Sequence, residues 1–154
     1  MPACDLLVMA ADSPPHDLSR WVNRVAVDRR MPFATAGLQT PLVRVGPTYC
    51  PGAGPCYECH ETQIRGGFPL YEELAAHQNR HPPRAITIGA GAGIIGSLVA
   101  VEALNLLARG APATVDRALI LDLRDLGFRS ERVARDPACP VCAGLFASED
   151  AQGP

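Results

Sequence analysis

The sequence predicts a mixed α/β fold closed by a metal. Three observations carry this reading. Short apolar runs alternate with stretches of helical periodicity. A glycine-rich segment opens a long apolar helix. Two CxxC pairs, Cys56-Tyr57-Glu58-Cys59 and Cys139-Pro140-Val141-Cys142, stand far apart in the chain. At 154 residues, with 47% hydrophobic and 19% charged residues, one globular domain is expected. We place it over residues 1–146, with 147–154 as a disordered tail.

The elements follow in order. Asp5 to Ala10 is a short, almost wholly apolar run, as in a strand buried on both faces. Ser13-Pro14-Pro15 breaks it. Leu18, Trp21, Val22, Val25 and Ala26 then recur at helical spacing, with Asp17 or Ser19 as the cap. Phe33–Gln39 and Leu42–Tyr49 read as two strands, because Pro41 interrupts them. The first CxxC falls in a Pro/Gly-rich loop, followed by a polar linker and a short helix over Leu70–Asn79. Ala85–Ile88 is a possible strand. Ile94–Ala108 is the strongest helix, stopped by Gly110 and apolar around most of its circumference, so a buried position is expected. Ala118–Leu123 is a strand, and Gly127–Arg135 alternates in the manner of an exposed edge strand.

Four thiolates in two CxxC pairs suit one tetrahedral Zn²⁺ shared by distant parts of the fold. The ligands are Cys56, Cys59, Cys139 and Cys142, and the site is structural, with no open position for substrate. A redox motif and unligated thiols are the alternatives. Cys4 reads as a small buried hydrophobe. Cys50 reads as an ordinary loop cysteine, with a spare ligand or a reactive thiol as the alternatives.

Composition excludes other classes. A net charge of −2 offers no electrostatic case for nucleic acid. The N-terminus has neither the basic nor the apolar region of a secretory signal, and paired thiols without one point to a reducing cytoplasm. The longest apolar stretch, Ile94 to Leu107, contains Ser97, Glu102 and Asn105 and reads as too short to span a membrane. Gly91-Ala92-Gly93-Ile94-Ile95-Gly96 matches the dinucleotide pattern G-x-G-x-x-G between a possible strand and a helix. Close packing of small residues against a sheet is the alternative for Gly91, Gly93 and Gly96.

Taken together, these segments resemble the C-terminal half of the ThiF/MoeB/E1-like superfamily, whose members adenylate a C-terminal carboxylate. The match runs from Asp5 to Cys142. Asp5 to Asp12 resembles the strand ending in the family's Thr-Asp-Asn, with Arg20 and Asn23 in the next helix. Pro55 to Cys59 resembles the first zinc pair, Gly93 to Leu104 the core helix, and Asp136 to Cys142 the second zinc pair. The resemblance implies a Rossmann-like mixed sheet with a Cys4 zinc site, and reassigns Gly91–Gly96 to packing. It also implies that the nucleotide-binding half of the family fold, with its phosphate loop, is lacking.

Asp12 matches the family's residue near Mg²⁺-ATP, although Ser13 stands where Asn is usual. Residues 61–92 hold no cysteine, so the crossover nucleophile of many members has no counterpart. Arg20 and Arg24 on the helix, and His60, His77 and His81 around the crossover, read first as ordinary polar residues, with a catalytic role or a ligand replacement as the alternative. The implied activity is adenylation of a peptide or a ubiquitin-like or sulfur-carrier protein, with a partner supplying the ATP-binding half; a homodimer or a complementary subunit is expected. The alternatives are a non-catalytic zinc-stapled scaffold that binds a peptide or partner, and a dinucleotide-binding protein.

Overall fold

The computed structural model describes residues 4–82 and 88–146. A five-stranded sheet of order β1-β2-β3-β4-β5 lies at its centre. The strands are β1 (Leu7–Val8), β2 (Phe33–Gln39), β3 (Leu42–Tyr49), β4 (Arg117–Asp122) and β5 (Gly127–Arg132). β1 runs parallel to β2, and each later pair is antiparallel, so the sheet is mixed as expected. The helices are α1 (Pro15–Asp28), α2 (Tyr57–Gly67), α3 (Tyr71–Arg80) and α4 (Gly89–Arg109).

Two cores form on opposite faces of the sheet. On one, Ile94, Ile95, Leu98 and Val99 of α4 pack on Ala34, Val43, Val45 and Leu121. On the other, Val22 and Ala26 of α1 pack with Phe33 and Tyr49. Val43, Val45 and Tyr49 are all odd-numbered, and strict alternation would put them on one face. A bulge prevents this. Ala36 pairs with Val45 but Ala34 with Thr48, so one residue of β2 faces two of β3. The extra length falls at Gly46, whose φ of +82° suits only glycine, and whose Cβ would lie 2.6 Å from that of Thr114.

Several expectations are corrected. β1 pairs over two residues only, and Val8 is 50% exposed, because β1 is the sheet edge. α1 begins at Pro15 with Pro14 at the N-cap; Asp17 and Ser19 lie inside its first turns, and Ser19 Oγ donates to Pro15 O. The loop expected around the first CxxC turns into helix α2 at Tyr57. β5 is exposed as expected but stops at Arg132. Pro83 to Thr87 and the tail 147–154 lie outside the described residues, and with them most of the Ala85–Ile88 strand.

The largest correction concerns α4. It is longer than expected, 21 residues, and is long and apolar enough to cross a membrane by length and composition. In the fold it lies along the sheet, with Gly91, Val99 and Glu102 buried. Its outer side is open: Val101, Leu104 and Leu107 are 50%, 64% and 61% exposed. One sheet face covers one side of a helix, so a helix apolar all round keeps the other side bare.

Candidate functional site

The two CxxC pairs meet. Sγ of Cys56 lies 3.9 Å from Cys59 and 3.7 Å from Cys139, and Cys59 lies 3.5 Å from Cys142. All four sulfurs fall within 4.8 Å of one another, and all four residues are buried. A disulfide needs about 2.05 Å. A tetrahedral ion with sulfur ligands at ~2.3 Å holds neighbouring sulfurs about 3.8 Å apart. The separations therefore fit four ligands around one metal. The chemistry agrees: hydrogen bonds to Cys56 and Cys59 hold the Cys142 thiol far above its ordinary range. Four crowded sulfurs cannot all ionise without a cation among them. Val27, Val141, Leu145 and Phe146 pack around the cluster.

Neighbouring groups orient the sulfurs. Cys56 is the N-cap of α2, where the helix dipole favours negative charge. Buried Asn23 of α1 serves this junction twice. Its Oδ1 accepts from Tyr57 N at 3.0 Å, and its Nδ2 points at Cys56 Sγ at 3.7 Å. Asp136 N donates to Cys59 Sγ at 3.5 Å. Gln63 of α2 holds the segment leading to the second pair in the manner of a strand. Its Nε2 donates to Arg132 O, and its Oε1 accepts from Ala134 N, both at 3.0 Å.

A second constellation went unseen in the sequence. Glu61, on α2, is fully buried. Arg20 Nε donates to its Oε2 at 2.8 Å, and the Tyr71 hydroxyl donates to its Oε1 at 2.7 Å. Arg65 stands 3.7 Å away. The Glu61 hydrogen bond raises the Arg20 pKa further above its already high value. Arg20 therefore ties α1 to α2, a structural use of a residue for which a catalytic role was the alternative. Helical spacing does not point to Glu61, because it lies two residues, about 200°, around α2 from Cys59, and the two are buried against different neighbours. The glycines before that helix and its polar composition hide the register.

The remaining candidates are spread out. Asp12 is exposed in the loop between β1 and α1. Arg24 lines an open groove of about 470 Å³ with Val27, Asp28, Glu58, Pro140 and Val141. His60 is no ligand of the cluster; its Nδ1 meets the Tyr49 hydroxyl at 2.8 Å, and burial lowers its pKa to about 4. His77 and His81 lie against each other at the end of α3, ring centres 4.9 Å apart and the rings tilted by 44°. Cys50 is buried, and desolvation pushes its thiol up to about 11, which keeps it protonated and a poor nucleophile. Cys4 is exposed, not buried. A Cβ on Gly91 would lie 2.9 Å from Leu38, so this glycine serves packing; Gly93 and Gly96 open onto space.

Comparison with known proteins gives a consistent picture. The model of the ThiF family matches residues 1–141. A sulfur carrier protein adenylyltransferase of Thermus thermophilus is 33% identical over 103 residues, covering 62% of this chain and 32% of that protein. Protein HesA of Leptolyngbya boryana is 38% identical over 124 residues, covering 79% of this chain and 39% of its own length. Among solved structures, E. coli MccB with AMPCPP and MccA superposes with a TM-score of 0.72 at 24% identity, covering 92% of this chain and 40% of that one. The heterocyclase TruD gives 0.71 at 22% identity, covering 92% and 22%. The structural likeness shows the fold. The chain spans less than half the length of each of these proteins.

Proposed function

The chain belongs to the ThiF family, and from that premise we propose that it takes part in ATP-dependent adenylation of a C-terminal carboxylate. The substrate is a peptide or a ubiquitin-like or sulfur-carrier protein. The observation that carries this reading is the family match over residues 1–141. Relatives whose names state sulfur-carrier adenylation, and the MccB structure holding both a nucleotide analogue and MccA, support the two substrate classes. In such a reaction a carboxylate oxygen attacks the α-phosphorus of ATP. The bond to the pyrophosphate oxygen breaks, leaving an acyl-adenylate and pyrophosphate.

Asp12 would hold Mg²⁺, which would supply positive charge to offset that of the phosphates. The cysteine cluster would hold Zn²⁺, which supplies a structural crosslink between α2 and the second CxxC segment. A complementary subunit would provide the remaining phosphate contacts, and a homodimer is the other assembly expected. Two features among the described residues support such a partner: the apolar outer side of α4 and the outer edge of β1. Exchange of labelled pyrophosphate into ATP, with candidate peptides and sulfur-carrier proteins and with the partner present, tests the proposal. We expect exchange that depends on the carboxylate substrate and is lost in Asp12→Ala. Exchange unaffected by Asp12→Ala would remove that residue from the reaction.

A second reading, a zinc-stapled scaffold that binds a peptide without turnover, draws on one observation. Arg20 and Arg65 are both committed to Glu61 and its neighbours, not to an open phosphate site. Saturable peptide binding with no dependence on nucleotide would favour it.

A further inference from the structure

The N-terminus of α1 depends on a residue of another helix. The first turn of a helix leaves its N–H groups without intrahelical acceptors. In α1 the accounting is complete. Pro15 has no N–H, and Leu18 N bonds to Pro14 O at 3.0 Å. His16 N and Asp17 N remain, and both donate to one atom, Oδ1 of Asn79, at 3.1 and 3.4 Å. Asn79 lies near the end of α3. α1 has no capping side chain of its own, since Pro14 occupies the N-cap.

α3 grips the same turn by side chains as well. The His16 ring meets Gln78 Oε1 through Nε2 at 2.7 Å, and the Tyr71 hydroxyl through Nδ1 at 3.2 Å. Tyr71 in turn reaches buried Glu61. The loop before α1 is thus held at two points. Upstream, Met9 N bonds to Ala34 O at 3.0 Å, so the sheet holds that end. Downstream, Asn79 holds His16 and Asp17. Asp12 stands between these anchors in a short loop. A short loop takes its geometry from its ends, and one of the two ends belongs to α3.

We infer that α3 is a positioning element for the Asp12 loop and that Asn79 is its working residue. Asn79 does not touch the substrate; it acts by fixing the start of α1. The inference rests on the reading of Asp12 as the Mg²⁺-ATP contact given above, and it assigns to the crossover helix a part in setting that site.

The test uses the zinc-loaded full chain, with its partner where nucleotide binding needs one, and the variants Asn79→Ala, Asn79→Asp and Asp12→Ala. Aspartate keeps an acceptor for both N–H groups and suits a helix N-terminus. Amide exchange should quicken in Asn79→Ala at His16 and Asp17 by roughly fivefold, the size of a lost cap, and the effect should extend into residues 10–13. Exchange at the cysteine cluster and the metal content should not change. Asn79→Asp should restore slow exchange. Calorimetric titration of Mg²⁺-ATP should show weaker binding in Asn79→Ala, by a factor of about three to ten, and recovery in Asn79→Asp.

Unchanged exchange at residues 10–13, His16 and Asp17 in Asn79→Ala overturns the inference, whatever the nucleotide does. So does faster exchange with undiminished ATP affinity. If Asp12→Ala binds Mg²⁺-ATP as the parent does, the Asp12 reading fails instead, and the exchange result still decides whether α3 holds the loop.

Discussion

At the scale of single residues, Glu61 carries the clearest consequence. It is a fully buried carboxylate whose partners come from α1 and α3. Removing one member of a buried charged pair strands the other. Arg20 is partly exposed and can turn to water, so the cost of Glu61→Leu falls at the low end, on the order of 2 kcal/mol. For a chain of this size we expect a Tm lower by about 4–8 °C; an unchanged Tm would show the network to be decorative. Cys50 supports a second prediction. Its thiol stays protonated in the fold up to about 11, while an unfolded thiol ionises near 9. A group whose folded pKa is raised contributes stability below its unfolded value and loses it as pH climbs through the folded one. Parent and Cys50→Ala stabilities should therefore converge on a different offset between pH 9 and 11, the parent falling more steeply. Alkylation at pH 8 followed by mass spectrometry should mark Cys4 and spare Cys50; the reverse order would restore Cys50 as a reactive thiol.

At the scale of elements, the β3 bulge sets which core each strand residue serves. Gly46→Ala forces a left-handed φ on alanine and drives its Cβ into Thr114. Thr114 is itself buried, donating through N and Oγ1 to Glu102 and sharing its hydroxyl with Thr48. The contact leaves little room to relax, and we expect a loss of about 2 kcal/mol or more, read by urea denaturation; a change below 0.5 kcal/mol would mean the bulge is soft. The same element shows where sequence reading succeeds. Phe33–Gln39 and Leu42–Tyr49 were legible to the residue, since β-branched and aromatic side chains flank a proline break. α2 was not legible, because its buried residues are Cys59 and Glu61, neither of which adds to an apolar stripe. The burial of β1 and α4 was overestimated for a shared reason: an apolar run reports what a segment can bury, and neighbouring elements decide what it does bury. The cysteine cluster was legible because CxxC spacing is local chemistry, independent of the intervening fold. The Glu61 network depends on three helices meeting and leaves no such mark.

At the scale of the whole molecule, the cluster joins α2 to the second CxxC segment across a separation of 83 residues. Metal affinity and fold stability should be one quantity here. Replacing Cys56, Cys59, Cys139 or Cys142 with Ser should lower zinc content to near zero and abolish the cooperative thermal transition, and a strong chelator should do the same to the parent chain. A cooperatively folded, zinc-free Cys→Ser variant would refute a structural metal. The order of the ligands along the chain has a further consequence during synthesis. All five strands precede Cys139 and Cys142 in the chain, so until the second pair is made α2 holds only two of the four clustered thiols. A metal at the cluster would therefore report on everything made before it: all four thiolates are available only once the strands, the helices and the second CxxC turn are present, and a chain broken off before Cys139 lacks two ligands.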